Sequence, residues 1–338
     1  MKFLVTGGAG FIGGNYLLKM VKKYPENQYV CLDALTYAGN ISTLKEIKDL
    51  SNFGFVQGNI CDKQLIDKLF EEEKFDYVIN FAAETHVDRA ALYPEIFVKT
   101  NIEGTQTLLE ACRKYGIKRF HQVSTDEVYG DLPLEAKDDF FSEESPIKPS
   151  SPYSASKAGA DFLCLAYFRT FKVPVTISRC SNNYGPFQHP EKLIPLMIQR
   201  AINNEKLPVY GNGQNIRDWL HVDDHCDAID LIVQRGDNGE IYNVGGHNEK
   251  SNLEVVKIIL KSLNKSESLI NFVLDRPGHD LRYAINPKKL EKLGWKQTYK
   301  FETGILDTID WYLKNDEWVA EVKSNEYLLW IKKQYDKR

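Results

Sequence analysis

Thr6-Gly7-Gly8-Ala9-Gly10-Phe11-Ile12-Gly13 is the stretch that decides the fold of this 338-residue chain. The apolar run Lys2–Thr6 leads straight into it, and an amphipathic stretch over residues 11–21 leads out. Strand, glycine turn and helix in that order let backbone N–H groups approach a pyrophosphate at the positive end of the helix. Asp33 ends the next apolar run, 20 residues after Gly13. A carboxylate at that place accepts hydrogen bonds from the adenine ribose and repels a 2′-phosphate, which favours NAD over NADP.

Outward from this turn, short apolar runs alternate with amphipathic ones. Strands are expected at 2–6, 29–32, 52–56, 77–80, 119–124 and 173–178, and helices at 11–21, 63–70, 94–115 and 152–171. This alternation implies βαβ units, hence an α/β fold with a doubly wound parallel sheet of the Rossmann type. Runs such as Tyr77-Val78-Ile79-Asn80-Phe81 are apolar almost throughout, as in strands covered on both faces. Beyond residue 181 the pattern loosens, and the strands at 206–210 and 271–274 look isolated. The expected division is a dinucleotide-binding domain over 1–180 and a smaller substrate-binding lobe over 181–338, partly interleaved with it. Residues 136–151 read as a surface loop, and 316–338 as a terminal helix docked on the body.

With 43% hydrophobic and 27% charged residues and a net charge of −4, the composition is that of a soluble globular protein. There is no basic excess for nucleic acid. No apolar run reaches the roughly 20 residues needed to span a bilayer, and no leader precedes the first strand, so a cytoplasmic location is expected. The cysteines at 31, 61, 112, 164, 180 and 226 are scattered. That favours reduced structural thiols and no metal site.

A second constellation carries the chemistry. Ser151-Pro152 is a helix start, with Ser as N-cap and Pro at the first helical position. Tyr153 and Lys157 then share one helix face. An ammonium there lowers the phenol pKa towards working range, so that Tyr153 accepts a proton from a substrate alcohol. Thr125, Asp126 and Glu127 follow an apolar strand. Adjacent strand residues point to opposite faces, so both acids share a pocket only if the strand ends and the backbone turns there. Two crowded carboxylates raise at least one pKa, which keeps one protonated near neutral pH.

The glycine loop, Thr125-Asp126-Glu127, the Tyr153/Lys157 pair and Arg179-Cys180-Ser181-Asn182-Asn183-Tyr184-Gly185-Pro186 together resemble the extended short-chain dehydrogenase/reductase family, in its sugar-nucleotide dehydratase branch. So do Phe81-Ala82-Ala83-Glu84-Thr85-His86-Val87-Asp88 and the stretches 190–195, 215–219 and 275–280. The resemblance implies a homodimer built on two long helices, here 94–115 and 152–171. It also implies a redox-neutral dehydration of dTDP-glucose. Tyr153 would deprotonate the 4-hydroxyl while hydride passes to NAD, and Thr125 would hydrogen-bond the 4-oxygen. Glu127 would remove the C5 proton as Asp126 protonates the departing C6 hydroxyl, and hydride would return to C6. For the cofactor it implies Gly7, Gly10, Phe11, Ile12, Gly13, Asp33, Ala34, Leu35, Thr36, Asn59, Ile60, Ala82, Ala83, Thr100 and Asn183, beside Tyr153 and Lys157. Asn59 stands where relatives often have an acid near the adenine; its amide oxygen still accepts a hydrogen bond. For the substrate it implies Thr85, His86, Asn182, Lys192, Leu193, Pro208, Tyr210, Arg217, Asn252, Arg276 and His279. Arg217 and Arg276 suit a diphosphate through their forked donors.

Two other readings stay open at this level. A C4 epimerase shares the fold but has no use for an acid and a base at C6 and C5. A nucleotide-sensing protein that keeps NAD without turnover has no use for Tyr153, Lys157, Asp126 or Glu127.

Overall fold

The computed structural model describes residues 1–90, 92–275 and 279–323. Its strands are β1 (Lys2–Thr6), β2 (Gln28–Asp33), β3 (Phe53–Gln57), β4 (Tyr77–Asn80), β5 (Arg119–Thr125), β6 (Val175–Cys180), β7 (Asn182–Tyr184), β8 (Leu207–Tyr210), β9 (Ile216–His221), β10 (Glu240–Val244), β11 (Glu249–Ser251) and β12 (Ile270–Val273). Seven of them form one parallel sheet in the order β10-β6-β5-β4-β1-β2-β3. The strand order reverses between β1 and β4, and open α/β sheets bind ligands at the carboxyl ends of the strands beside such a switch.

Alternation along β1 shows why the sheet is covered twice. Leu4 points to one face and packs with Leu69, Phe70, Leu108, Leu109 and Cys164 from the helices Lys63–Glu73, Thr105–Tyr115 and Pro152–Phe171. Phe3 and Val5 point to the other and pack with Leu17, Met20, Cys226 and Ile229 from Phe11–Lys23 and Val222–Arg235. Truncating any one of these buried side chains to alanine costs about 2–5 kcal/mol. The sheet centre also carries a polar ladder that its apolar character hides. Thr6 Oγ1 donates to Asn80 Oδ1 at 2.6 Å, and Asn80 Nδ2 donates to Gln122 Oε1 at 2.8 Å. Across three strands at the switch, this ladder fixes which residues stand level with one another.

The chain returns to the sheet late. β10 pairs with β6, so residues 240–244 complete the layer begun in the first half. The remainder builds a second lobe around the sheet β11-β9-β7 and a core that includes Tyr184, Ile198, Trp219, Ile259 and Phe301. β8 and β12 are not isolated, as the sequence suggested; they pair with each other in parallel, Leu207 opposite Ile270. No alternation signal links two four-residue strands 63 positions apart, Leu207 to Ile270, so only tertiary structure reveals the pair.

The helix expected over 94–115 is interrupted. Pro94–Phe97 is α-helical, Val98–Gly104 is a π turn, and Thr105–Tyr115 resumes the α-helix. Residues 136–151 are irregular but pinned, because the buried Arg282 guanidinium donates to the carbonyls of Ala136, Lys137 and Asp139. At the far end, Asp316–Val322 is helical and Trp318 donates to Thr43 Oγ1 at 3.2 Å. The rest of the expected terminal helix, 324–338, lies outside the described residues. Among the described residues, no helix is long and apolar enough to cross a membrane.

Candidate active site

A cleft of 310 Å³ runs along the carboxyl ends of β1, β2, β4, β5 and β6. Its first wall is the glycine loop. Gly7 has φ +69°, and a Cβ there would lie 2.6 Å from the Ala82 nitrogen; a Cβ on Gly13 would lie 2.4 Å from the Gly7 oxygen. Both positions therefore require glycine, and the loop packs tightly enough to present its backbone to a ligand. The helix Phe11–Lys23 has no side-chain cap at Gly10, so its first N–H groups and dipole are left to an anion.

Asp33 backs this loop. Its carboxylate accepts from Ala9 N at 2.9 Å and from Leu35 N at 2.8 Å, and burial raises its pKa. Asp33, Ala34 and Thr36 line the cleft with Gly7, Gly10, Phe11, Ile12, Gly13, Asn59, Ile60, Ala82, Ala83, Thr100 and Asn183. Leu35 is outside the lining; it adopts φ +50° and packs on the core beneath β1 and β2. Asn59 is at the rim, but its Oδ1 already accepts from Cys61 N at 2.9 Å, so the oxygen offers an adenine a second lone pair only.

β5 ends at Thr125, and Asp126–Tyr129 form a single 3-10 turn capped by Thr125 Oγ1, which accepts from Glu127 N. That turn breaks the strand alternation and brings Asp126 and Glu127 into the cleft together with Thr125, Tyr153 and Lys157. Asp126 is 2% exposed. Burial, then the charges of Glu127 and Asp218, raise its pKa well above the usual carboxylate range, while Arg217 opposes the rise. The rise has the direction that crowding implied, but burial is its first cause.

Tyr153 departs from expectation. Burial, then the Glu127 charge, push its phenol up rather than down, with Thr125 in hydrogen-bonding contact opposing them. Lys157 Nζ donates to the Val123 carbonyl at 2.6 Å, and burial lowers its pKa. The i,i+4 spacing sets the two residues on one face but does not reveal that both are desolvated. The serine pair behind them is a full capping box, Ser151 with Ser154.

The expected substrate residues fall into two groups. Thr85, Asn182 and Lys192 line the cleft. His86 sits just behind it, buried, with Nε2 3.6 Å from Glu191, and Leu193 packs on the core of the second lobe. Pro208, Tyr210, Arg217, Asn252 and His279 lie outside the cleft, in the second lobe. There the Tyr210 and His279 rings meet edge to face at 6.0 Å, and His279 contacts Asp275 at 2.6 Å. Asn252 opens the helix Asn252–Ser262. Arg217 donates to the Asp280 carbonyl at 2.9 Å and stacks over Tyr283 at 4.3 Å. Arg276 lies outside the described residues.

Sequence reasoning missed Ser124, Ser181 and Gln188. Their Oγ, Oγ and Oε1 atoms, with Asp126 Oδ2 and Asn182 Oδ1, are buried and take no hydrogen bond among the described residues, and all five side chains line this one cleft. Each such atom costs about 1–3 kcal/mol unless a ligand or solvent group satisfies it. Their concentration here marks a site built for a polar, hydroxyl-rich molecule, and the uncapped helix end beside them fits a dinucleotide. Among the described residues, no group of three or more His, Cys, Asp or Glu side chains is placed to hold a metal ion.

A doubly wound parallel sheet, a glycine loop at its switch point and a Tyr/Lys pair beside two carboxylates define a short-chain dehydrogenase/reductase-type enzyme of the extended class. Residues 4–308 match the family model GDP-mannose 4,6 dehydratase, and the chain belongs to that family. It is 46% identical to a dTDP-glucose 4,6-dehydratase of Salmonella typhimurium, over 100% of both chains. Among solved structures, a dTDP-glucose 4,6-dehydratase of Bacillus anthracis in complex with NAD has TM-score 0.89 and 48% identity, covering 96% of this chain and 100% of that one. Another, from Streptomyces venezuelae with NAD and TYD bound, has TM-score 0.92 and 44% identity over the same shares.

Proposed function

We propose that the chain is an NAD-dependent dTDP-glucose 4,6-dehydratase, a hydro-lyase that yields dTDP-4-keto-6-deoxyglucose. The observation that carries this reading is the 3-10 turn at Asp126–Tyr129. It brings Asp126, whose pKa burial raises, and a second carboxylate to the cleft that holds the Tyr/Lys pair. Oxidation or epimerisation at one carbon needs only the pair; loss of water needs the acids as well.

Bound along the glycine loop and Asp33, NAD+ supplies the hydride acceptor for C4 and, once reduced, the donor for C6. Tyr153 takes the proton of the 4-hydroxyl, and Thr125 hydrogen-bonds the 4-oxygen. Lys157 places a buried cation near that developing charge. A C5–H beside the resulting ketone is acidic enough for Glu127 to remove. Hydroxide leaves C6 only with a proton, which Asp126 supplies, its pKa raised by burial. Glu127 then returns a proton to C5. Lys192, at the cleft, and Arg217, from the second lobe, supply cations for the diphosphate, a part the family resemblance also gives to Arg276.

The base preference follows the full-length relatives, which are dTDP-glucose enzymes. Two surface features support a homodimer. Phe162 on Pro152–Phe171 is 54% exposed, and Ile96 and Val98 on the neighbouring helical segment are exposed as well. Such an apolar face on two adjacent helices suits a second copy. All six cysteines are free thiols, in keeping with a cytoplasmic location.

The test is incubation with dTDP-glucose deuterated at C4, followed by mass spectrometry. The expected product has lost one water and carries the label at C6. Inversion at C4 without mass loss would make the protein an epimerase, and retained NAD without turnover would make it a sensor. Parallel assays with UDP-glucose and GDP-glucose, which keep the sugar, decide the base.

A further inference from the structure

The sheet order places β4 and β2 on either side of β1, so the loops leaving β4 and β2 flank the glycine loop. Any contact between those two loops passes over the helix N-terminus to which a pyrophosphate binds. The chain makes such a contact. The Tyr37 ring, on the loop after β2, has the Arg89 guanidinium of the β4 loop 4.0 Å from its centroid. Burial and then the charges of Glu191 and Glu84 push the pKa of its hydroxyl up, while Arg89 and Thr85 oppose the rise. The same ring meets the edge of His189 at 5.7 Å.

Glu191 anchors the third side. It is almost wholly buried, and its Oε2 lies 3.6 Å from His86 Nε2 and 3.9 Å from His189 Nδ1. Its segment is itself tethered: the Pro186 carbonyl accepts from Asn15 of the helix after the glycine loop at 2.9 Å, and the Gln188 carbonyl accepts from the Tyr312 hydroxyl. Three stretches far apart in the chain thus close into a bridge, of which Thr85, His189 and Glu191 line the cleft.

We propose that Tyr37, Arg89 and Glu191 form a strap that holds the dinucleotide in place between the oxidation at C4 and the reduction at C6. The proposal rests on the reading above that the cleft takes NAD in a redox-neutral cycle. An ordinary dehydrogenase exchanges its cofactor every turnover and gains nothing from such a bridge. Here the same reducing equivalent is used twice, and release midway leaves a 4-keto sugar with no hydride to complete it. These residues position the cofactor; the bonds are made and broken elsewhere.

The experiment loads the holoenzyme with radiolabelled NAD and follows exchange into excess unlabelled NAD by rapid gel filtration. Removing a ring with its cation and hydroxyl contacts, as in Tyr37→Leu, should speed exchange by roughly ten-fold or more. Tyr37→Phe, which keeps the ring, should fall between, and kcat at saturating NAD should stay within about two-fold of the parent. During turnover, Tyr37→Leu should also release reduced cofactor that a coupled NADH-consuming enzyme traps, with unfinished 4-keto-glucose nucleotide in the medium. If Tyr37→Leu does not fold, Arg89→Gln reads the same rate, because it removes only the cation over the ring. An unchanged exchange rate in a folded variant, with the parent binding label and turning over, overturns the strap. A parent that neither retains label nor turns over overturns the functional reading instead.

Discussion

Replacing Asp126 by asparagine removes one acidic proton while keeping size and shape. Asp126 is 2% exposed, and among the described residues its only hydrogen bond comes from Thr125 Oγ1 at 3.4 Å. The amide of Asp126→Asn is far too weak an acid to protonate a leaving hydroxide, and burial bars bulk water from taking over the task. A positioned general acid contributes about 10²–10⁴-fold, equivalent to roughly 2.7–5.5 kcal/mol in the barrier. Overall turnover should fall by that factor. Oxidation at C4 uses Tyr153 and Lys157, so it should persist. The assay is stopped-flow absorbance of reduced nicotinamide after mixing holoenzyme with dTDP-glucose, with mass spectrometry of the quenched sugar. The variant should accumulate reduced cofactor and 4-keto-glucose nucleotide that still carries its C6 hydroxyl. Stability gives an independent check. A carboxyl whose folded pKa is raised costs stability as pH climbs above its unfolded value, so Asp126→Asn should melt at least as high as the parent at neutral pH. Parent-like turnover, or loss of the oxidation step in a folded protein, would refute the assignment.

Three further outcomes follow from the geometry. Gly13→Ala puts a Cβ 2.4 Å from the Gly7 oxygen; the loop must shift, and NAD affinity by titration calorimetry should drop at least about ten-fold, in line with an overpacking cost of roughly 1–3 kcal/mol. The rate of C4 oxidation should rise with pH, because the phenol of Tyr153 is raised and its basic form grows as pH climbs. Elimination should fall as pH rises through the raised pKa of Asp126 and its proton is lost, so the full cycle should show a bell-shaped profile whose alkaline limb disappears in Asp126→Asn. Phe162→Glu should yield a monomer by analytical ultracentrifugation, since a charge at the centre of the exposed apolar face cannot be buried unpaired; persistence of a dimer would move the interface elsewhere.

What the sequence disclosed was local or periodic. The glycine loop, Asp33 and the strand ends lie within short, ordered windows, so the parallel sheet and the cofactor wall were readable from spacing. Asp126 and Glu127 were legible as a pair because adjacent acids at a strand end are chemically unusual. The Tyr153 pKa was not legible: its direction depends on burial and on Glu127, which is distant in sequence. The orphaned Ser124 and Ser181 looked like ordinary strand-end serines, and nothing local distinguishes them. Tyr37, Arg89 and Glu191 escaped notice because three unrelated loops bring them together, and a Tyr, an Arg and a Glu in loops each have a bland reading. For Asn59 the sequence did not show that Cys61 N already donates to its oxygen.

The π turn at Val98–Gly104 bears on how this enzyme can change over time. Asn101 within it accepts from Glu84 N at 2.9 Å and donates to the Glu84 carbonyl at 3.0 Å and to Ser156 Oγ at 2.8 Å. Ser156 in turn donates to the Tyr153 carbonyl at 2.7 Å. One side chain thus ties the floor of the cleft to the helix of the base. A π turn amounts to one extra residue in an α-helix, and each residue advances the helix by about 100°. Deleting that residue would straighten the helix and swing Asn101 away from both partners at once. Point substitutions can drift freely around this segment, but its length is frozen: a descendant that tidies the helix loses the alignment of the active site in the same step.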